Sequence, residues 1–398
     1  MTPFMTMVIA GFLARFGYQM ARSPVLPRFA QDLGAAPEAV GLIVAASTIT
    51  GIVIKLPAGA LSDLLGRKRM MLLGCLFFAV PPFLYPLVHT PGALLALRLL
   101  HGFATAIFSP VASAYVADLS QRGRGEKLGW FAAAGDMGST LGPLLGGLLL
   151  FYTASYPRTY LTVGILGTLP FLIVLCLPED ERSGIGGSTL DARSRHFWSG
   201  IREVLSSQAV LVASMLEAAM YVGYGAFLGF FPLYARGIGL NDAQIALVMG
   251  VQLGTTMIAK PLSGRLSDRL GRKPMILAGL FLCAASLPVI PMLSSLWVLF
   301  PVSAIFGLGV AVVTPSTTAL VADLVKAGRM GSAMGAFGTI WDIGEALGPI
   351  LAGFLIASFG YSPAFTLLAL LMVAAALSFA IMVRDPETVA YGRPRGPH

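Results

Sequence analysis

The chain has 398 residues, of which 56% are hydrophobic and only 12% charged, with a formal net charge of +8. A charged fraction about half that of an ordinary soluble domain cannot clothe a soluble protein of this size, which argues against a soluble enzyme or nucleic-acid binder and places the chain in lipid. Cys75, Cys176 and Cys283 are scattered without metal-ligand spacing, so no metal and no cofactor is expected.

Apolar runs of about 20 residues, enough to cross roughly 30 Å of hydrocarbon, fall near 4–30, 38–61, 70–89, 92–117, 128–153 and 158–178. A second set follows near 208–236, 242–264, 274–294, 296–320, 332–357 and 361–383. Each is predicted to be a helix, because lipid offers a bare backbone group no partner. The first run lacks a basic n-region and a small-residue cleavage site, and reads as a retained span rather than a signal peptide. Residues 179–206 are polar and glycine-rich, ending in a short amphipathic piece. The expected organisation is an N-terminal six-helix bundle (1–178), a cytoplasmic linker (179–206), a C-terminal six-helix bundle (207–384) and a tail (385–398). No Walker-type phosphate loop is present, so ATP-driven transport has no support.

With twelve spans, nineteen of the 27 Lys and Arg lie on one side, together with both termini. Only Arg28, Arg158 and Arg236 lie on the other, and Arg15, Arg22, Lys55, Arg98 and Lys260 lie within spans. Basic loops stay inside, so both termini are predicted to be cytoplasmic, in a bacterial cytoplasmic membrane.

GALSDLLGRKRMMLLG, starting at Gly59, is nearly repeated by GRLSDRLGRKPMILAG, starting at Gly264. An offset of 205 aligns Asp63 with Asp268, Lys55 with Lys260, Pro27 with Pro232, Pro110 with Pro315 and Asp118 with Asp323. Six spans is an even number, so the two halves enter the membrane with the same polarity and form parallel repeats. The predicted fold is an all-α membrane protein of twelve transmembrane helices in two six-helix repeats.

Two such halves, each with a G-x-L-S-D-x-x-G-R-K turn between its second and third span, resemble the major facilitator superfamily over essentially the whole chain. The resemblance implies a cytoplasmic gate built from Gly59, Asp63, Gly66, Arg67 and Asp118, and from Gly264, Asp268, Gly271, Arg272 and Asp323. One position departs from the pattern: Leu64 follows the first Asp where Arg269 follows the second. This predicts a weaker first latch, with neutralisation of Asp268 impairing switching more than neutralisation of Asp63.

In the fifth span Gly129, Gly138, Gly142, Pro143, Gly146 and Gly147 satisfy G-x8-G-x3-G-P-x2-G-G, which resembles the superfamily's antiporter signature. The eleventh span nearly repeats it with Gly335, Gly344, Gly348, Pro349, Ala352 and Gly353. The direct work of these glycines is close helix packing; antiport is what the resemblance adds. Arg98 and Gly102 resemble the R-x-x-x-G element associated with proton-linked transport, and Ser303 and Gly307 stand at the matching second-half positions. An arginine in a bilayer costs at least about 2.5 kcal/mol on insertion scales and persists mostly where it pairs or lines water.

Counting ~1.5 Å per residue puts Asp136, Glu217 and Asp342 near mid-membrane and Glu345 a turn further out. Asp136 and Asp342 are repeat-related, whereas Glu217 has Phe12 as its counterpart. Arg98, Asp136, Glu217 and Asp342 are the candidate proton-coupling residues, with Asp136 and Glu217 favoured as protonation sites. His101 reads as a hydrogen-bonded packing residue. Arg15, Tyr18, Gln19 and Arg22 fall at helical spacings on the first span and predict a polar, basic face. In the superfamily the first and seventh spans line the substrate path, which adds Tyr221 and Tyr224 to the candidate substrate cavity and leaves substrate charge open.

The function implied is secondary active transport, by alternating access, with proton-coupled efflux of small amphipathic molecules or drugs leading. The alternatives are a permease or exporter of an endogenous metabolite, such as a sugar, siderophore or lipid-like compound, and a non-transporting membrane scaffold or receptor. Expected partners are a small-molecule substrate, protons and the lipid bilayer, with no nucleic acid and a monomeric state.

Overall fold

The computed structural model describes residues 2–119, 123–178, 202, 207–325 and 330–383. Most of the expected linker and the whole tail from 385 lie outside the described residues.

The first half comprises α1 (Pro3–Arg22), α2 (Val25–Asp32), α3 (Pro37–Leu65), α4 (Arg67–Leu84), α5 (Pro91–Asp118), α6 (Arg124–Thr153) and α7 (Tyr156–Leu175). The second comprises α8 (Gln208–Gly237), α9 (Asp242–Leu270), α10 (Arg272–Ser286), α11 (Leu296–Leu324), α12 (Met330–Phe359) and α13 (Tyr361–Met382). Three of the helices start where the sequence offers a capping hydroxyl. Thr2, Thr90 and Ser155 accept a backbone N–H three residues on, and each precedes a proline within the first two helical positions, where a missing N–H costs nothing.

The first expected span is not one helix. It divides at Ser23-Pro24 into α1 and α2. Proline has no N–H to continue the ladder and disfavours helical backbone at the preceding residue, and the apolar run concealed that break. Among the described residues ten helices are long and apolar enough to cross a membrane. The remaining two spans are α1 with α2, interrupted and carrying Arg15 and Arg22, and α6, diluted by glycine and Asp136.

Gly66 and Gly271, both at φ +93°, turn the chain between the second and third span of each repeat. That left-handed conformation suits glycine, which explains why both copies keep it.

The chain forms two compact units that do not follow the repeat boundary. One consists of Met1–Arg195, Gly225–Gly250 and Ala346–Gly360; within it α1 packs on α6 and α7, α3 on α5, and α4 on α5 and α7. The other consists of His196–Tyr224, Val251–Glu345 and Tyr361–His398, in which α10 packs on α11 and α13.

Candidate functional site

The two repeated turns fold alike. Arg67 sets Nη2 at 2.5 Å from Asp63 and Nε at 3.3 Å from Asp118, while its Nη1 donates to Ser62 Oγ at 2.5 Å. Arg272 sets Nη1 at 2.5 Å from Asp268 and Nε at 3.3 Å from Asp323, and donates to Ser267 Oγ. The following lysines also match: Lys68 donates to the carbonyl of Leu177, and Lys273 to those of Ala380 and Val383. Leu64 leaves the first pairing intact. The difference between the copies is exposure, since the Asp63 side chain is 14% accessible and that of Asp268 is 61%. The imbalance therefore runs against the expectation of a weaker first latch. A Cβ on Gly264 would meet Pro315 only at ordinary van der Waals distance.

The glycines of α6 seat α1. A Cβ on Gly138, Gly142 or Gly146 would fall 2.4–2.6 Å from the carbonyl oxygens of Phe12, Phe16 and Met20. A Cβ on Gly147 would meet Ala246, and one on Gly344 the carbonyl of Ala218 at 2.4 Å. Gly129 and Gly335 face open space. Pro143 and Pro349 lie inside α6 and α12, and Gly348 and Pro349 are buried.

Arg98 is fully buried on α5. Its Nη2 donates to Ser47 Oγ at 2.6 Å, its guanidinium lies 5.4 Å from the Tyr18 ring centroid, and its Nε and Nη1 have no hydrogen-bond partner. Among the described residues no carboxylate pairs with it. The acid expected to answer it is replaced by a hydroxyl and an aromatic face, a combination that holds a cation without neutralising it. His101 bonds Tyr85 Oη through Nδ1 at 3.1 Å and packs edge-on against Tyr18.

Tyr18 accordingly departs from the polar face predicted for α1. It is 4% exposed and packs on Phe78, His101 and Arg98. Adjacent helical residues point about 100° apart, so Tyr18 and Gln19 cannot face the same way. Arg15, Gln19 and Arg22 are half-buried; Arg22 donates to Thr48, and Arg15 lies beside Gly135.

Glu217, about 13–14 Å along α8 from its start by helical rise, is also fully buried. One carboxylate oxygen accepts from the Thr317 hydroxyl of α11; the other, Oε1, has no hydrogen-bond partner. Tyr221, one turn on, meets Tyr224 at 5.7 Å and Trp341 at 5.1 Å, both edge-to-face. Trp341 is a residue that sequence reasoning missed. Asp136 is exposed and Asp342 is half-buried next to Trp341 in sequence, so the two repeat-related acids differ from Glu217 in being accessible to solvent or lipid.

A further constellation, unmarked by any motif, lies at the helix ends opposite the two glycine turns. Arg28 of α2 pairs with Asp242 at the start of α9. Asp32, one turn along α2, takes Arg236 of α8 at 2.8 Å and the Tyr156 hydroxyl of α7 at 2.6 Å. Ser23 Oγ donates to the carbonyl of Leu228. One short helix thus presents a cation and an anion, and the second repeat answers each with the opposite charge.

Two parallel six-helix repeats, each with an Arg-centred latch and a fully buried charged side chain, define the class: a polytopic two-repeat membrane transporter. A family model described as Major Facilitator Superfamily matches residues 7–251 and 213–397, and the chain belongs to that family. It is similar to an uncharacterized MFS-type transporter of Methanocaldococcus jannaschii, 28% identical over 89% of both chains. It is also similar to the quinolone resistance protein NorA of Staphylococcus aureus, 23% identical over 83% of this chain and 84% of that one. Among solved structures it resembles the nucleoside transporter NupG, with TM-score 0.77 and 15% identity over 96% of this chain and 99% of that one. The human organic anion transporter MFSD10 gives 0.68 and 20% over 95% and 100%. The protein is therefore an integral membrane transporter of small molecules, not an enzyme.

Proposed function

We propose that this transporter is a proton-coupled exporter of small amphipathic molecules, working by alternating access in a bacterial cytoplasmic membrane with both termini inside and as a monomer. The observation that carries the reading is Glu217: a carboxyl group buried in a span, hydrogen-bonded through one oxygen and with the other unsatisfied. Buried charges are expensive unless paired, and in membrane helices they mark ion pathways. A proton is the simplest partner for the free oxygen. Similarity to a quinolone resistance protein supports export, and the antiporter-like glycines of α6 agree with it.

In this reading the Arg67 and Arg272 latches hold the inner side and the Arg28–Asp242 and Arg236–Asp32 pairs the outer side. Protonation of Glu217 from outside and its release inside would drive the exchange between states, and Arg98 supports coupling from its own bundle. Asp136 and Asp342 serve as secondary acids. On α1, Arg15, Gln19 and Arg22 are the candidate substrate contacts of their unit, and on α8 Tyr221 and Tyr224 are those of theirs. Residues 1–178 and 207–384 act as the two moving bundles, joined by 179–206. A second reading, export of an anionic or zwitterionic metabolite, is favoured by the half-buried Arg15 and Arg22 on α1. Membership of a transporter family sets aside the scaffold or receptor reading.

The test uses inverted membrane vesicles energised with a proton gradient, with ethidium and a quinolone as probes and a pH-sensitive dye inside. Drug movement with matching proton movement, lost in Glu217→Gln, is the expected result. Undiminished proton-linked transport in that variant would remove Glu217 from the mechanism.

A further inference from the structure

The hydroxyl that meets Glu217 has more acceptors than it has hydrogens. Thr317 Oγ1 lies within reach of the Glu217 carboxylate, of the Val313 carbonyl at 2.8 Å and of the Thr314 carbonyl at 3.2 Å. A threonine hydroxyl donates one hydrogen, so only one acceptor is served at a time. Which one depends on the charge of the acid, because a carboxylate is a stronger acceptor than a peptide carbonyl. The segment is also locally weakened: Pro315, inside α11, has no N–H and leaves the Ala311 carbonyl without its helical donor. Thr317 is fully buried, so water cannot substitute for the lost bond.

We propose that Thr317 is the positioning residue of the proton site, its hydrogen held by Glu217 when the carboxylate is charged and returned to the α11 backbone when Glu217 is protonated. This rests on the reading of Glu217 as the coupling acid. The hydroxyl links the protonation state of Glu217 on α8 to the backbone of α11 beside its proline, through rotation about the Cβ–Oγ1 bond alone. When the incoming proton sits on Glu217, the carboxyl supplies its own hydrogen and Thr317 Oγ1 turns from donor to acceptor. The other groups facing Glu217 are Lys260 from α9 and Cys283 from α10, with Tyr221 on α8 itself and Glu345 of α12 acting on Tyr221. Of these groups Lys260 is the cation, and among the described residues Thr317 is the hydrogen-bond donor to the acid.

The experiment needs no substrate. Full-length protein in liposomes is titrated with pH and followed by infrared difference spectroscopy at the carbonyl stretch of a protonated carboxyl, the Glu217 band being assigned by its loss in Glu217→Gln. Thr317→Val keeps the shape and deletes the donor. The bond to the carboxylate is charge-assisted and the stronger of the two, so deleting the hydroxyl costs the charged form more than the protonated one and lets the proton stay to higher pH: the midpoint should rise by about one pH unit, a roughly tenfold change. Thr317→Ser should restore the wild-type midpoint to within about 0.3 unit, because the donor returns with only a methyl lost. A band assigned to Glu217 with the same midpoint in wild type and Thr317→Val would overturn the proposal, as would a serine variant that titrates like the valine. If Thr317→Val does not fold, Thr317→Ala carries the same expectation. Absence of any titrating Glu217 band in the wild type would instead sink the reading of Glu217 itself, and the proposal with it.

Discussion

The two repeats agree in their glycine turns and disagree in their fully buried charges. In the first repeat Arg98 sits with Tyr18, Ser47, Tyr85 and His101; at an offset of 205 the second repeat has Ser303, Gly223, Gln252, Ile290 and Phe306. In the second repeat Glu217 sits with Thr317, and the first has Phe12 and Ala112 at those positions. Among the described residues each half therefore holds a fully buried charge at a place where its twin has none. The turns, where Arg67 and Arg272 make the same pairs at the same distances, show that duplication kept the frame. Frame residues need only hold a shape that both halves share, whereas a buried charge is costly and is placed once, where a reaction uses it.

The most severe way to break this comparison is to copy the first repeat's charge into the second. Ser303→Arg puts a guanidinium at a fully buried site in a repeat where Gln252, with one unpartnered oxygen, stands in the place of Ser47. An uncompensated buried charge costs about 3–5 kcal/mol, so the variant should fail to accumulate as folded, monodisperse protein in detergent. Normal yield and melting temperature would mean that the second repeat has a cation site the comparison overlooks. Next in size is Glu217→Gln, which keeps shape and one acceptor but cannot release a proton. Drug-linked proton flux in vesicles should fall about 100-fold, near the upper end of ordinary coupling energies, while thermal stability stays within about 1 kcal/mol of wild type.

The ion pairs of α2 sharpen the contrast between buried and exposed charge. Arg28 and Asp242 are 7% and 18% accessible, Arg236 and Asp32 41% and 37%. Arg28→Asp should cost about 2 kcal/mol and raise the labelling rate of a cysteine introduced at Leu240, and Asp242→Arg in the same chain should recover most of it. Arg236→Ala should cost less than about 1 kcal/mol and more weakly at high salt, as exposed pairs do. Equal effects from the two pairs would show that accessibility is not what sets their weight.

These outcomes also mark what was legible in the sequence. The repeat and the spans were readable because spacing and repetition carry them, and the Arg67 and Arg272 pairings came from the resemblance of their turns to a known family. Arg98 was flagged by its cost in lipid, but its setting was not: charge logic called for an acid, and the fold supplied Ser47 and the Tyr18 ring, residue types with no signature of their own. Thr317 and Trp341 were missed for the same reason, since a threonine or tryptophan in an apolar run looks like filling until a neighbouring helix is placed beside it. The Arg28–Asp242 pair joins residues more than two hundred positions apart, with no repeat partner to betray it. Tyr18 misled because helical spacing groups residues within an arc, and the boundary of that arc is set by packing.

The smallest effects lie in the latches, where sequence and structure disagree in sign. Leu64 in place of a second arginine predicts that the first turn is the weaker and that Asp268→Asn does more harm than Asp63→Asn. The structure gives both arginines the same two carboxylates, yet leaves Asp63 largely covered and Asp268 largely in solvent. An exposed carboxylate is screened and rehydrated when its charge is removed, so Asp268→Asn should cost a few tenths of a kcal/mol, about what an exposed helical pair is worth. Asp63→Asn removes charge from a covered pair and leaves Arg67 leaning on Asp118 alone, for about 1 kcal/mol. Thermal shifts and ethidium export rates of the two single variants decide the matter. A larger loss from Asp63→Asn makes burial the determinant, and a larger loss from Asp268→Asn returns the weight to the residue that follows the aspartate.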